Sequence, residues 1–116
     1  MAHDTPMNGW TAACRIDEIV PDTGVCALVD SEQVAIFRLR DDALFAIDNV
    51  DPRSGAAVLS RGLVGNRGEH LVVASPLHKQ HFDLRTGECL EEAQYNVRAW
   101  EVRRWGDMVL VRRGES

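Results

Sequence analysis

The sequence predicts an all-β protein, a small antiparallel sandwich or barrel that forms one domain. Short runs of apolar and β-branched residues recur along the chain, and clusters of turn-forming residues separate them. No segment carries the 3.6-residue apolar period of a long helix. The 116 residues suffice for one domain, and a composition of 45% hydrophobic and 27% charged residues is that of an ordinary folded protein. We expect residues 9–114 to form this domain behind a flexible N-terminal tail, residues 1–8.

Four strands are predicted in the first part of the chain, at residues 10–15, 25–29, 34–40 and 44–47. In the third of them, Ala35, Phe37 and Leu39 alternate with Arg38 and Arg40. This alternation is typical of a strand that has one buried face and one face in water.

Turns are predicted between these strands. Residues 16–20 are expected to form a single helical turn, and residues 21–24 to form a tight turn, because proline comes first and glycine last in that segment. The polar residues 30–33 and the two aspartates at 41–42 are expected to form the next turns.

The middle of the chain has a different composition. Residues 48–69 are rich in glycine, serine, arginine and asparagine, so we predict that loop dominates there. A loop of this length is uncommon in a compact domain unless it carries function. The base strands would then lie in residues 9–46 and 89–114, with a loop-rich subdomain, residues 47–88, inserted between them.

The second half is predicted to contain one more strand and two hairpins, at residues 71–74, 82–88 and 97–112. The last hairpin has Trp105-Gly106-Asp107 at its tip, where glycine supplies the turn. Trp100 shares its parity with Val102, so we expect Trp100 to be buried and Trp105 to be exposed.

Composition excludes several classes of protein. The 13 Lys and Arg against 18 Asp and Glu give a net charge of −5, which argues against general nucleic-acid binding. No run approaches the roughly 18–20 apolar residues of a membrane span, and the N-terminus lacks the pattern of a secretory signal. The cysteines Cys14, Cys26 and Cys89 form no CxxC pair, so we expect buried free thiols in a reducing cytoplasm.

Two segments carry a recognisable pattern. One contains Asn49-Val50-Asp51, and the other contains Ser75-Pro76-Leu77-His78 followed by Phe82-Asp83 and Thr86-Gly87. They resemble the two loops of the Rieske ferredoxin fold, which carry C-x-H…G-x-x-L and C-P-x-H…F-D-x-x-T-G. The resemblance extends over nearly the whole chain. It implies a Rieske-like antiparallel sandwich or small barrel in which residues 47–88 are the degenerate cluster-binding subdomain.

The four ligand positions differ from that pattern. A Rieske centre holds its 2Fe-2S cluster with two cysteine thiolates and two histidines. The matching positions here are Asn49, Asp51, Ser75 and His78. Neutral amide and hydroxyl groups are poor ligands for iron–sulfur chemistry, which needs soft anionic sulfur. We therefore predict that this chain binds no cluster and no other cofactor.

Among Rieske-like chains, this one resembles the small subunit of assimilatory NAD(P)H-dependent nitrite reductase. The matching motifs are the segments 45–52, 58–62, 75–80 and 82–84. The resemblance implies a cytoplasmic accessory subunit without catalytic residues of its own. Its partner would be a large subunit that carries FAD, sirohaem and an iron–sulfur cluster and reduces nitrite to ammonium. No membrane or nucleic acid is implied, and no GxGxxG fingerprint is present here.

We expect the two loops to form the tip that docks on the large subunit, through Leu59, Leu77, Lys79 and Gln80. The observation behind this expectation is a retained loop framework around lost ligands. If the loops served only a cluster, their turn residues would have no remaining task.

Other interpretations of the same residues remain open. Asp51, His78 and His81 are the residue types of a mononuclear iron site, although His78 and His81 converge only if the loop bends between them. Alternatively, Asn49 and Asp51 brace their loop by side-chain hydrogen bonds to the backbone. At the level of function, the alternatives are a Rieske-type 2Fe-2S electron-transfer ferredoxin, or an interaction domain of another oxidoreductase.

Overall fold

The computed structural model describes residues 9–114 and is all-β there, as the sequence predicts. The strands are β1 Thr11–Arg15, β2 Thr23–Val29, β3 Glu32–Arg38, β4 Leu44–Asp48, β5 Leu63–Arg67, β6 His70–Ala74, β7 His81–Asp83, β8 Ala99–Trp105 and β9 Met108–Arg113. Three single turns of 3-10 helix connect them, at Ile16–Glu18, Leu59–Arg61 and Ala93–Tyr95.

Six strands form the larger sheet, in the antiparallel order β1-β9-β8-β4-β3-β2. Its two edge strands, β1 and β2, approach each other, so the sheet curls into a nearly closed barrel. The turn between β2 and β3 is shorter than predicted. Asp30 and Ser31 alone form it, with φ of 51° and 67°, the positive values that a two-residue hairpin turn needs.

The smaller sheet has the antiparallel order β5-β6-β7. Its strand β5 lies inside the segment for which the sequence predicted loop, and that prediction is wrong there. Gly65 and Asn66 have low strand propensity, so no local pattern marks the strand. It forms because β6 pairs with its backbone, from Leu63 opposite Ala74 to Arg67 opposite His70.

The core divides into two clusters on either side of β3. Val34 and Ile36 pack into the cluster inside the barrel, whereas Ala35 and Phe37 pack into a second cluster that also contains Phe82 from the smaller sheet. The prediction of a face in water along β3 is therefore wrong over most of its length. The face that carries Arg38 points into the barrel at Val34 and Ile36, and the smaller sheet covers the opposite face, which carries Ala35 and Phe37.

The three thiols differ in exposure. Cys89 is buried as predicted, Cys14 is half-buried and Cys26 is exposed. The expectation of a buried thiol is wrong at Cys26 because this residue lies on the edge strand β2. In the final hairpin, Trp100 is buried and Trp105 is exposed, as the sequence predicted. No helix within residues 9–114 is long and apolar enough to cross a bilayer.

Candidate functional site

Two loops meet at one end of the molecule. Loop 1, residues 49–61, follows β4, and loop 2, residues 75–80, connects β6 with β7. Loop 1 closes on itself through the Leu59 N–H, which donates to the Asn49 carbonyl at 3.0 Å. Loop 2 closes in the same way, since the Lys79 N–H donates to the Ser75 carbonyl at 3.0 Å. A backbone hydrogen bond thus closes each loop near its base.

A buried hydrogen bond joins the two loops. The Ser75 hydroxyl donates to Asp51 Oδ2 at 2.6 Å, and both side chains are almost fully buried. The other carboxylate oxygen of Asp51 accepts from the Arg53 N–H at 2.9 Å. The Leu77 N–H donates to the Ser75 hydroxyl at 3.3 Å. We call the Asp51–Ser75 contact the loop clamp, because it connects two of the four positions that match Rieske ligands.

The Asn49 side chain is also occupied by contacts within the protein. Its Oδ1 accepts from the Ser60 N–H at 2.7 Å, which braces the far end of loop 1. Its Nδ2 donates to Gln33 Oε1 at 3.2 Å and to Cys26 Sγ at 3.3 Å. Asn49 therefore ties loop 1 to the β2–β3 hairpin, and both Asn49 and Asp51 act as braces.

These residues do not fit a 2Fe-2S cluster. The first three ligand positions carry an amide, a carboxylate and a hydroxyl, each already hydrogen-bonded within the protein, and only His78 retains a ligand of the Rieske type. Cys26, the thiol nearest to Asn49, lies on β2, outside both loops.

The structure does not bring together the three candidates for a mononuclear site. The Nδ1 of His81 lies 2.7 Å from Glu91 Oε2, and Arg67 lies 3.3 Å from the same ring. Asp51 faces Ser75, and His78 is exposed on loop 2. Across residues 9–114, no three His, Cys, Asp or Glu side chains are placed to hold a metal ion.

The motif residues after loop 2 build a tight turn. Asp83 Oδ1 accepts from the N–H groups of Arg85 at 2.7 Å and Thr86 at 3.2 Å. Burial raises the pKa of Asp83, but hydrogen bonds from the His70 ring and from these two N–H groups outweigh burial and hold that pKa below its ordinary value. The Glu88 N–H donates to the Thr86 hydroxyl at 3.1 Å.

From the sequence, the retained turn residues of the loops are a sign of docking, and this turn offers another reason for them. Its hydrogen bonds shape the hairpin itself, so its residues have a role in folding that needs neither a cluster nor a partner. The retained turn residues therefore do not by themselves indicate a docking site. Docking would depend instead on the residues that the two loops expose.

The four predicted docking residues fall into two groups. Leu77 is 50% exposed and Lys79 is exposed, so both are available to a partner. Leu59 is fully buried because its 3-10 turn packs into the second core cluster, and Gln80 is only 4% exposed. A direct contact between Leu59 and a partner is incompatible with this burial. Val50, which the sequence analysis did not single out, is partly exposed on loop 1.

Comparison with known proteins agrees with this architecture. Residues 9–112 match the family model described as a Rieske-like 2Fe-2S domain. The two sheets and the two joined loops thus define a Rieske-like domain whose ligand positions have changed.

More specific relatives are nitrite reductase subunits. The chain is 49% identical over 107 residues to the nitrite reductase (NADH) small subunit of Escherichia coli strain K12, which covers 91% of this chain and 99% of that protein. The solution NMR structure of the nitrite reductase NAD(P)H small subunit from Erwinia carotovora has a TM-score of 0.81 and 47% identity, covering 95% of this chain and 85% of that one. The chain belongs to the family of nitrite reductase small subunits.

A further relative has a different organisation. The nitrite reductase NAD(P)H large subunit of Klebsiella oxytoca is 42% identical to this chain over 98 residues, which cover 84% of this chain and 10% of that protein. In that protein, a segment similar to this chain is part of the large subunit.

Proposed function

We propose that this chain is the accessory small subunit of a cytoplasmic NAD(P)H-dependent nitrite reductase, and that it docks on the large catalytic subunit without holding a 2Fe-2S cluster. The large subunit would carry FAD, sirohaem and an iron–sulfur cluster and would reduce nitrite to ammonium. One observation carries the proposal: Asp51 and Ser75, one ligand position from each loop, bind each other, while the tip of loop 2 remains exposed.

The loop clamp supports the absence of a cluster. In a Rieske domain the iron ligands connect the two loops through the metal. Here a hydroxyl and a carboxylate connect them directly, at 2.6 Å. A buried hydrogen bond to a carboxylate is among the stronger ones in proteins. The loops thus have a connection that requires no iron.

The surface of the loops supports docking. Leu77 and Val50 expose apolar side chains, and the exposed cations Lys79 and Arg61 form no ion pair with any other residue in the range 9–114. The chain as a whole has a net charge of −5, so these unpaired cations on the two loops differ in sign from the overall charge. Exposed apolar side chains and free cations suit an apolar recess with acidic residues at its rim on the large subunit.

The Klebsiella large subunit supports a lasting association. A segment joined covalently to catalytic domains stays at high effective concentration near them. A separate chain that serves the same purpose needs a docking surface of its own. The exposed loop tip is the candidate for that surface.

The cluster-free state has a direct test. We expect chain purified without oxygen to contain far less than one iron and one acid-labile sulfide per molecule. We also expect it to give no paramagnetic signal of a Rieske centre on reduction. Stoichiometric iron and sulfide in a coloured protein would instead indicate the electron-transfer ferredoxin.

Docking is tested by reversing the chemistry of the loop tip. We expect Leu77→Asp combined with Lys79→Glu to weaken binding to the large subunit about 100-fold, because an exposed apolar anchor and a complementary charge are both lost. Affinity is measured by titration, together with nitrite-dependent NAD(P)H oxidation by the large subunit with and without this chain.

A matched control makes equivalent changes outside both loops, at Val20, which precedes β2, and at Arg103 on β8. The variant Val20→Asp with Arg103→Glu also replaces one exposed aliphatic residue and one arginine without an ion pair among the described residues. It should bind like the wild type. Equal affinities for the tip variant and the wild type would refute docking through loop 2.

A further inference from the structure

Gln80 is an exception among the buried polar side chains. It is 4% exposed, and neither its Oε1 nor its Nε2 has a hydrogen-bond partner among residues 9–114. The other buried side chains at the site, those of Asn49, Asp51 and Ser75, all have partners. A buried amide without partners destabilises a protein, and an apolar side chain of the same shape would remove that cost.

The backbone at Gln80 is held by a hydrogen bond, so only the side-chain amide lacks partners. The Ser75 N–H donates to the Gln80 carbonyl at 2.8 Å, across the base of loop 2. Strand β7 begins at the next residue, His81. A rotation of the Gln80 side chain toward the surface would therefore leave the loop closed and the sheet intact.

Two other residues of loop 2 are also in states that disfavour the isolated chain. Lys79 has a φ of 60°, a left-handed conformation that residues with a side chain rarely adopt. Leu77 exposes half of its apolar side chain to water. Loop 2 thus combines a strained backbone, an exposed apolar side chain and an unpaired buried amide within six residues. Strained backbone conformations cluster at active sites and ligand-binding segments.

We propose that Gln80 is a recognition residue for the large subunit: on docking, its amide turns outward and pairs with a peptide group of the large subunit while Leu77 becomes covered. A glutamine amide offers both an acceptor and donors, so it can bond reciprocally to the N–H and C=O of a peptide group. This inference rests on the proposed docking through loop 2. The unpaired Gln80 amide lowers the stability of the free chain, and binding to the large subunit removes this free-energy cost.

The test replaces Gln80 with methionine, which has a similar length and no strong hydrogen-bonding group. We expect Gln80→Met to raise the Tm of the isolated chain by several degrees and to weaken binding to the large subunit about tenfold. The opposite signs of the two effects are the signature. Replacement of a residue that serves only the fold would not raise Tm and weaken binding to the large subunit at the same time.

Gln33→Met is the matched control. The Gln33 amide accepts from Asn49 Nδ2 at 3.2 Å, so methionine there removes a formed hydrogen bond. We expect this variant to lower Tm, a change opposite in sign to that of Gln80→Met.

The outcomes separate this inference from the proposed function. A lower Tm for Gln80→Met would mean that the amide is satisfied inside the free chain, and would overturn the inference. A raised Tm with unchanged affinity would also overturn it, while docking stands if the Leu77→Asp/Lys79→Glu variant still fails to bind. If the wild-type chain itself does not bind the large subunit, both proposals fall.

Discussion

Gly87→Ala is expected to destabilise the isolated domain by about 3 kcal/mol or more. Gly87 has a φ of +82°, and a Cβ there would lie 2.1 Å from the Val97 carbonyl oxygen. That oxygen belongs to backbone and cannot retreat easily, because the Val97 N–H donates to the Gly87 carbonyl at 2.8 Å. Urea unfolding of the purified chain measures the loss.

Gly106→Ala separates the two causes of this effect. Gly106 also has a positive φ, +61°, but nothing lies within 4 Å of a Cβ built there. The control should therefore lose only the conformational part, about 1 kcal/mol. Equal losses of unfolding free energy in the two variants would show that the Val97 carbonyl does not exclude a Cβ at position 87.

Asp51→Ala is expected to cost about 3 kcal/mol, because it removes a buried carboxylate and leaves the Ser75 hydroxyl without its acceptor. Loop 1 and loop 2 then lose their direct connection. We expect the amide of Leu77, which donates to the Ser75 hydroxyl, to exchange its hydrogen faster than in the wild type. Denaturant unfolding and native-state hydrogen exchange provide the two measurements.

Asp51 also accepts a hydrogen bond from the Arg53 N–H, so the control must remove a local bond of this kind without a loop clamp. Asp41 accepts from the Ala43 N–H at 3.1 Å, just as Asp51 accepts from a residue two positions on, but Asp41 is exposed. Asp41→Ala should therefore cost well under half as much. In a double-mutant cycle, Asp51→Ala and Ser75→Ala should show a coupling of at least about 1 kcal/mol. Additive losses would contradict the loop clamp.

Much of the fold could be predicted because strand periodicity and turn residues are local signals. The final hairpin formed around Gly106 with Trp100 inside and Trp105 outside, as parity and the glycine predicted. Strand β5 escaped prediction because its sequence has no strand pattern and its pairing with β6 supplies the stability. The environment of β3 escaped as well, since a strand's own residues do not report what covers each face.

The site divides in the same way. The loops and their four changed ligand positions were recognisable from the residue types at given spacings. The sequence did not reveal which loop residues a partner could contact. Leu59 illustrates why, because an apolar residue beside a predicted loop tip suits either a core or an interface. Its burial follows from the second core cluster, whose members come from strands far apart in the chain.

The sequence by itself determined the class of protein and the loss of both thiolates, because residue identity and spacing suffice for each. Only the tertiary structure decided that Asp51 and Ser75, 24 positions apart, bind each other, and that Gln80 is buried without a partner. The physical reason is that hydrogen bonds and burial depend on which segments face one another across the folded chain, and no local pattern encodes that arrangement.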